Sequence, residues 1–401
     1  MKFCKLSQLI LVSAFGLAVA TLLTACNITT IDFVYLATAG DSSGGQIEIY
    51  AADSQSGALR KGADTVSTNG SNPVALAVTP DYQHLYAANY DDDTIVHFTI
   101  ATNGSLTAKD TVTLSAPPVA IAVNNAGTYL YVVSGTTNAT LTEYALSSGT
   151  IGSVTAQQSL VLSGTNSGDT LLPTGVTVLR NNSGVFATVY DKSAYNPGGA
   201  TTSSANPGWV FGFTVDSGGS LTVASGSPFK AGVKPSGVVA DPTNSYLYVT
   251  DFASNQMIGY TIQSSSTLNF LLNGPFRTGN QPDAIAIDPR GKFLYVSNDL
   301  DSSVSAYVID LKTGTPSSVV NPTGSSINST DTSPVALAVD PALGRFVYTA
   351  NYLGNSISGF QIDPTAGTLK TTQATPYPSG KQPTAIVIIP HGNHSIQSIT
   401  Q

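Results

Sequence analysis

Short apolar segments and polar turns alternate along the chain in a pattern that repeats over most of its length. A proline followed by five mainly apolar residues leads into a second apolar segment of the type Leu-Tyr-Val-x-Asn. The first segment recurs seven times, at spacings of 45, 55, 62, 47, 52 and 49 residues, starting at Pro73, Pro118, Pro173, Pro235, Pro282, Pro334 and Pro383. Repeats of this length with several short strands each predict the blades of a β-propeller.

Each repeat contains four predicted strands, labelled a to d from the propeller axis outwards. Strand a is the proline-initiated segment, strand b is the Leu-Tyr-Val-x-Asn segment, strand c follows it, and strand d is short and follows a Gly or Ser turn. Strand a is apolar at nearly every position, which a strand buried on both faces requires. A column of small residues in strand a predicts that the blades converge there: Ala75, Ala120, Gly175, Gly237, Ala284, Ala336 and Ala385.

The two ends of the repeat region are incomplete in complementary ways. Residues 33–60 contain strands b, c and d without a strand a, and residues 383–390 contain a strand a with nothing after it. We therefore predict an all-β fold, a seven-bladed β-propeller over residues 33–390, in which the C-terminal strand completes the N-terminal blade. This closure leaves no open sheet edge. Residues 391–401 are predicted to form a C-terminal tail.

Charge is scarce in this sequence. Of its 401 residues only 10% are Asp, Glu, Lys or Arg, against about 25% in ordinary soluble domains. The formal net charge is −8, there are two glutamates, and no basic run is present. These features exclude a coiled coil and argue against nucleic-acid binding. We expect a monomer without a cofactor or a bound metal.

The first 25 residues have the pattern of a secretion signal. Lys2 and Lys5 form a positive start, and an apolar stretch follows that is too short for a comfortable transmembrane helix. It ends in Leu23-Thr24-Ala25-Cys26, which resembles the bacterial lipobox. The alternative is an ordinary signal peptide in which this cysteine is incidental.

The lipobox implies that Cys26 becomes the lipidated first residue of the mature chain, with residues 26–32 as a tether. Cys4 leaves with the signal, so no thiol remains for a disulfide or a cysteine metal site. A lipid anchor holds a protein at a membrane surface without spanning it. We thus expect an extracytoplasmic lipoprotein of the bacterial cell envelope.

Two copies of strand b point to a known family. The segments Tyr248-Val249-Thr250-Asp251 and Tyr295-Val296-Ser297-Asn298 resemble the repeat of the YVTN β-propellers. Over about residues 33–390 the repeat is similar to the seven-bladed lactonase family, which includes bacterial 6-phosphogluconolactonases. The resemblance implies the propeller fold and a lactonase-type carboxylic ester hydrolase activity. Many YVTN-type proteins are nevertheless envelope proteins without known catalysis.

Candidate ligand-binding residues cluster on one predicted face. Because strands alternate in direction, the loops entering strand a and the loops joining b to c share a face, here called the top. A motif that begins Pro-Phe or Pro-Tyr precedes strand a in three repeats and is predicted to bring basic residues near the channel mouth: Lys230, Lys234, Arg277 and Lys381. Its aromatic residues are predicted to wedge between blades: Phe229, Phe276 and Tyr377.

The b–c loops and one insertion complete this predicted site. Asp251 and Asp299 lie in b–c loops, where aspartates also serve ordinary turn chemistry. Asp299-Leu300-Asp301 has part of a calcium-loop spacing but lacks its Gly and Glu, so no calcium is expected. The insertion in blade 4, residues 191–208, carries Tyr195 and leads into Trp209, and it is predicted to act as a lid with an aromatic platform.

The catalytic candidates are few. Lactone hydrolysis needs a base that activates water and a donor that polarises the carbonyl group. The four histidines are predicted to lie away from the top face, which leaves Asp283, at the top of a strand a, as the candidate base.

Three functions stay open from sequence. The first is a propeller that binds a ligand, such as an anionic sugar, or an envelope protein without catalysis. The second is a lactone hydrolase acting on sugar lactones, and the third is a surface-layer or adhesion module. The absence of a histidine on the top face favours the first.

Overall fold

Seven antiparallel sheets, the blades, surround a common axis in the computed structural model. The structure describes residues 29–40, 44–162, 170–193, 195, 207–321 and 324–397. The predicted signal peptide and lipobox, and most of the blade 4 insertion, lie outside the described residues. None of the helical segments in these ranges has the length and apolar character needed to cross a bilayer.

The strands follow the predicted order from the axis outwards. Strands a are β4 (Pro73–Val78), β8 (Pro118–Val123), β12 (Leu171–Val178), β17 (Pro235–Ala240), β22 (Pro282–Ile287), β27 (Pro334–Val339) and β32 (Pro383–Pro390). Strands b are β1 (Thr30–Thr38), β5 (His84–Asn89), β9 (Tyr129–Ser134), β13 (Gly184–Asp191), β18 (Tyr246–Asp251), β23 (Phe293–Asn298) and β28 (Phe346–Asn351). Strands c are β2 (Gln46–Asp53), β6 (Thr94–Ile100), β10 (Thr140–Ser147), β14 (Gly208–Val215), β19 (Gln256–Ile262), β24 (Ser303–Ile309) and β29 (Ser356–Ile362).

The outer strands d differ between the two halves of the ring. In blades 1 to 3 they are continuous: β3 (Leu59–Ser67), β7 (Leu106–Thr113) and β11 (Thr150–Ser159). In blades 4 to 7 each is split into two short strands that both pair with strand c: β15 (Leu221–Val223) and β16 (Phe229–Lys230), β20 (Leu268–Phe270) and β21 (Phe276–Arg277), β25 (Pro316–Ser318) and β26 (Ile327–Ser329), and β30 (Leu369–Thr371) and β31 (Tyr377–Pro378). The expectation of a uniformly short strand d is therefore wrong.

The C-terminal strand closes the ring, as predicted. β32 pairs antiparallel with β1, with Phe33 opposite Ile389 and Leu36 opposite Ile386, and blade 1 has the order β3-β2-β1-β32. β1 begins at Thr30, three residues before the predicted start of the propeller. Beyond β32 the chain forms a 3-10 helix, Gly392–Ile396.

Small residues in strands a allow the blades to converge at the axis. Neighbouring strands a contact one another all around the ring. At Gly237 a Cβ atom would lie 2.9 Å from the backbone oxygen of Asp283 in the next blade, closer than real side chains come. The apolar clusters lie between consecutive blades, and Tyr377, Phe229 and Phe276 pack in them as predicted.

The tyrosine of strand b links each of five blades to the next. Its buried hydroxyl group donates a hydrogen bond to a glycine carbonyl in the c–d turn of the following blade, at 2.6–3.3 Å. The pairs are Tyr35 with Gly104, Tyr86 with Gly149, Tyr248 with Gly314, Tyr295 with Gly367, and Tyr348 with Gly57. The repeated tyrosine thus has a structural role, holding adjacent blades in register.

Tyr248→Phe is expected to lower the free energy of unfolding by about 1–3 kcal/mol, because it leaves the buried Gly314 carbonyl without its donor. Urea denaturation followed by Trp209 fluorescence measures the change. Tyr352→Phe makes the same change at a half-buried tyrosine that is not one of these links, and it should change stability by less than about 0.5 kcal/mol. Equal effects of both substitutions would contradict this role.

Candidate functional site

Seven equivalent residues lie at the top end of the strands nearest the axis, each directly after the repeated proline of strand a. They are all half-buried: Val74, Val119, Thr174, Ser236, Asp283, Val335 and Thr384. Asp283 is the one charged residue in this set. Nothing in the described part of the chain donates a hydrogen bond to its carboxylate, although its backbone oxygen accepts one from Thr250 at 3.3 Å. The carboxylate is therefore free to act on a bound molecule.

A second set of seven residues, each directly before the strand-a proline, also contains one charged residue. These residues are Asn72, Pro117, Leu172, Lys234, Gln281, Ser333 and Gln382. Lys234 belongs to blade 5 and Asp283 to blade 6, and the two charges are near enough for each to shift the pKa of the other. The channel top thus holds a carboxylate and an ammonium group on adjacent blades.

A third set supplies an aromatic rim: each member follows the strand-b residue that pairs with the strand-a proline. Its members are Ala39, Tyr90, Gly135, Tyr190, Phe252, Asp299 and Tyr352. Four of the seven are aromatic, and Asp299 is the one charged residue. Aromatic walls with a few convergent polar groups are typical of small-molecule sites.

Three aromatic rings surround the Lys234 ammonium group. Its Nζ lies 3.9 Å from the centre of the Phe252 ring, 4.6 Å from that of Tyr195 and 5.9 Å from that of Tyr190. Tyr195 meets both of the other rings edge to face, at 6.1–6.2 Å between centres. These cation–π contacts orient the ammonium group. Burial lowers the pKa of Lys234, an effect that the charges of Asp283 and Asp299 oppose.

Burial also changes the acidity of Asp283. It raises the pKa of this carboxyl group from 3.8 to about 7, with Lys234 acting in the opposite direction and Asp299 adding to the rise. A general base works best when its pKa lies near the operating pH. Asp283 is thus poised to take up and release a proton at neutral pH.

The two neighbouring charges are expected to move the pKa of Asp283 in opposite directions. Lys234→Met keeps an apolar stem against the rings but removes the positive charge, so the pKa of Asp283 should rise. Asp299→Asn removes a negative charge, so the pKa should fall. Carboxyl-carbon NMR titration measures both shifts without any need for turnover. Shifts of the same sign in the two variants would show that these charges do not act on Asp283.

The structure brings together four of the residues selected from sequence: Lys234, Asp283, Asp299 and Tyr195. It separates three others from them. Lys230 and Arg277 are exposed on the outer strands β16 and β21, opposite Trp209 and Gln256 of strands c. The prediction that they lie near the channel mouth is wrong, because their motif forms the second half of strand d before the chain crosses to the axis. Lys381 is exposed in such a crossing segment, where its backbone oxygen accepts a hydrogen bond from Gly40.

Two more candidates have structural contacts. Asp251 is fully buried, and its carboxylate accepts hydrogen bonds from the backbone of Val233 and Lys234 and from the Gln256 side chain, at 3.0–3.1 Å. It therefore shapes the turn that carries Lys234. Trp209 is the second residue of β14 and packs, half-buried, against the cluster between blades 3 and 4. This position does not match the predicted platform next to Tyr195.

Sequence analysis missed Tyr190 and Phe252 as parts of the site. Their common position at the top end of strand b, shared with Tyr90 and Tyr352, was the available signal. The histidines do lie away from the channel top. His84, at the start of β5, contacts His97 of β6 at 2.9 Å, and His97 contacts Asp110 of β7 at 2.6 Å. The other two, His391 and His394, follow β32 on the opposite face.

Comparison with known proteins identifies the family. The family described as "Lactonase, 7-bladed beta-propeller" matches residues 28–120 and 238–397, well over half of the chain. Asp283 and Asp299 lie within the matched residues, and Lys234 lies just before the second matched segment. No curated protein is similar enough in sequence to count as a relative.

Solved structures agree on the fold. A periplasmic gluconolactonase from Pseudomonas aeruginosa has a TM-score of 0.72 at 19% identity, over 90% of this chain and 99% of its own. A putative 6-phosphogluconolactonase from Bacteroides uniformis has a TM-score of 0.72 at 17% identity, over 90% and 100%. Another from Bacteroides fragilis has a TM-score of 0.71 at 17% identity, over 90% and 99%. With this fold and this family match, the chain belongs to the seven-bladed β-propeller lactonase family.

Proposed function

We propose that this protein hydrolyses sugar lactones at the top of its channel. The observation that carries the proposal is the unpaired Asp283 carboxyl group, with a pKa raised to about 7 by burial, beside the Lys234 ammonium group. The sequence argues against an enzyme because it predicts no histidine on the top face. A carboxylate titrating near neutrality supplies the same proton transfer that a histidine would.

The chemistry follows from these two groups. Asp283, as the carboxylate, removes a proton from water while the water oxygen attacks the lactone carbonyl carbon. The Lys234 ammonium group stabilises the negative charge that develops on the carbonyl oxygen. The ring C–O bond then breaks, and Asp283 returns its proton to the departing oxygen. The product is the open-chain hydroxy acid, with Asp283 regenerated.

Local charge favours a neutral lactone over a phosphorylated one. Asp283 and Asp299 together outweigh the single positive charge of Lys234 at the channel top. A phosphate dianion would be repelled by this arrangement. The anionic ligand expected from sequence relied on four basic residues, Lys230, Lys234, Arg277 and Lys381. Of these, Lys230 and Arg277 lie at the outer edge of their blades. The aromatic rim suits the apolar face of an uncharged sugar ring.

An extracytoplasmic location fits this substrate. The Pseudomonas aeruginosa structure is a periplasmic gluconolactonase, and gluconolactone is an unphosphorylated sugar lactone. We propose, in line with the sequence, that the protein is a monomeric lipoprotein anchored through Cys26.

The test is the hydrolysis of glucono-1,5-lactone and its 6-phosphate by the purified protein, followed by acid release. Turnover of the neutral lactone with a higher kcat/KM than the phosphorylated one supports the proposal. Saturable binding without turnover would overturn it in favour of the binding scaffold. If the protein neither binds nor hydrolyses these lactones, the result would favour a surface-layer or adhesion role.

A further inference from the structure

A cluster of two carboxylates and an imidazole lies on the bottom face, at the opposite end of the channel from the proposed active site. It consists of Asp32 at the start of β1, Asp340 in the turn after β27, and His394 of the 3-10 helix. All three side chains are buried, and one ligand atom from each lies within 4.8 Å of the others. In the described part of the chain, no other group of metal-ligating side chains is gathered so closely.

Asp32 is the anomalous member. Its side chain has 0% exposure, and neither of its carboxylate oxygens accepts a hydrogen bond. His394 Nε2 lies 3.3 Å from Asp32 Oδ1, but its hydrogen bond goes to Asp340 Oδ1 at 3.1 Å. Arg345 is near, but it forms no ion pair with Asp32, and its guanidinium group lies over the Phe346 ring. A buried carboxylate that accepts no hydrogen bond is costly, so its persistence calls for a ligand.

Gln397 fixes the orientation of the imidazole. His394 Nδ1 lies 2.9 Å from the Gln397 side-chain oxygen, which holds the proton on Nδ1. Nε2 is thereby directed at the two carboxylates. Histidines that bind a metal through one ring nitrogen usually donate a hydrogen bond from the other ring nitrogen to an oxygen, as His394 does here.

We propose that Asp32, Asp340 and His394 form a binding site for one divalent transition-metal ion, of which Zn²⁺ is the representative. Two ligand atoms about 2.0–2.1 Å from a tetrahedral ion lie about 3.3 Å apart, which matches the observed spacings of His394 Nε2 from the carboxylates. The ion replaces the proton of Nε2, which is released to solvent.

Charge and ligand type agree with this assignment. Two carboxylates and a neutral imidazole carry a charge of −2, which a divalent ion cancels inside the protein. The orphaned oxygens of Asp32 gain a partner. Ca²⁺ and Mg²⁺ prefer oxygen ligands alone, whereas an imidazole with carboxylates suits Zn²⁺, Co²⁺ and related ions.

The position of the site gives the ion a role in closing the ring. Asp32 is near the N-terminal edge of the propeller, His394 follows the closing strand β32, and Asp340 belongs to blade 7. A metal bound here ties both ends of the propeller to a third, independent segment. The bound ion would stabilise the folded state by mass action. This inference stands apart from lactone hydrolysis, since the two sites lie on opposite faces.

The full chain, stripped of metal with a chelator, is the material for the test. Titration with Co²⁺ alone is expected to produce the visible absorption of a four- or five-coordinate ion at one equivalent, and Zn²⁺ should displace it and raise the Tm. His394→Gln should abolish both effects. His391→Gln makes the same change three residues away, where the ring packs against Phe33 at 4.7 Å, and should preserve both.

Two further variants keep the test decisive if His394→Gln folds poorly. Gln397→Ala changes an exposed residue and is expected to weaken metal affinity by about 10- to 100-fold. Asp32→Asn keeps the side-chain shape and removes the orphaned charge, so the metal-free Tm should stay the same or rise while the Zn²⁺-dependent increase is lost. Absence of Co²⁺ binding by the stripped full chain, or unchanged binding in Asp32→Asn or His394→Gln, would overturn the proposal.

Discussion

Asp283→Asn is expected to reduce kcat/KM for glucono-1,5-lactone by about 10²- to 10⁴-fold, the range that general acid–base catalysis contributes. Asparagine has nearly the same shape but cannot take up the proton of the attacking water. The wild-type rate should rise with pH, with a midpoint near the Asp283 pKa of about 7, because only the ionised carboxylate acts as a base. Below that pH the rate should fall as the carboxyl group becomes protonated.

Asp91→Asn is the matched control. Asp91 is an exposed aspartate of a b–c loop on the same top face, but in blade 2, so the same chemical change should leave the rate within about twofold of wild type. Thermal unfolding of both variants checks that the fold is intact. Full activity in Asp283→Asn, or an equal loss in Asp91→Asn, would remove Asp283 from the proposed mechanism.

Removing residues 383–401 is expected to abolish cooperative folding. β32 contributes three buried isoleucines, Ile386, Ile388 and Ile389, each 4–6% exposed. Burial of such side chains stabilises by about 1.5–3 kcal/mol each, and thus by about 5–9 kcal/mol together. That is comparable to the total stability of about 5–15 kcal/mol typical of proteins. The truncation also leaves the inner edge of β1 unpaired.

Circular dichroism during heating measures the result, with loss of the sharp transition expected. A shorter truncation, of residues 398–401 alone, serves as the control, since it keeps both β32 and the 3-10 helix. We expect it to retain a Tm within a few degrees of the full chain. A cooperative transition in the longer truncation would mean that closure by β32 is dispensable.

The sequence could predict some residues of the candidate active site but not others. Asp283 and Lys234 are the single charges in two sets of seven equivalent positions, which the repeat alignment displays directly. Lys230 lies only four residues before Lys234, and the sequence predicts the same location for both. The structure separates them because the backbone pairs with strand c at Lys230 and then crosses to the axis before Lys234.

The cluster of carboxylates and imidazole on the bottom face could not be predicted from the sequence. Asp32, Asp340 and His394 are spaced 308 and 54 residues apart, so no local motif connects them. His394 follows the last strand, in the segment that the sequence predicts to be a C-terminal tail. Ring closure brings this segment against the first strand, and the turn after β27 completes the cluster.

The sequence by itself determined the number of blades, the order of strands within each, the closing strand and the face on which each loop lies. These features depend on the local periodicity of apolar residues and on the alternation of strand direction, and both follow from the linear sequence. The tertiary structure decided which charges meet, how far each lies from the axis, and which are buried. Those properties arise from distances between segments remote in the chain, and only the closed ring sets such distances.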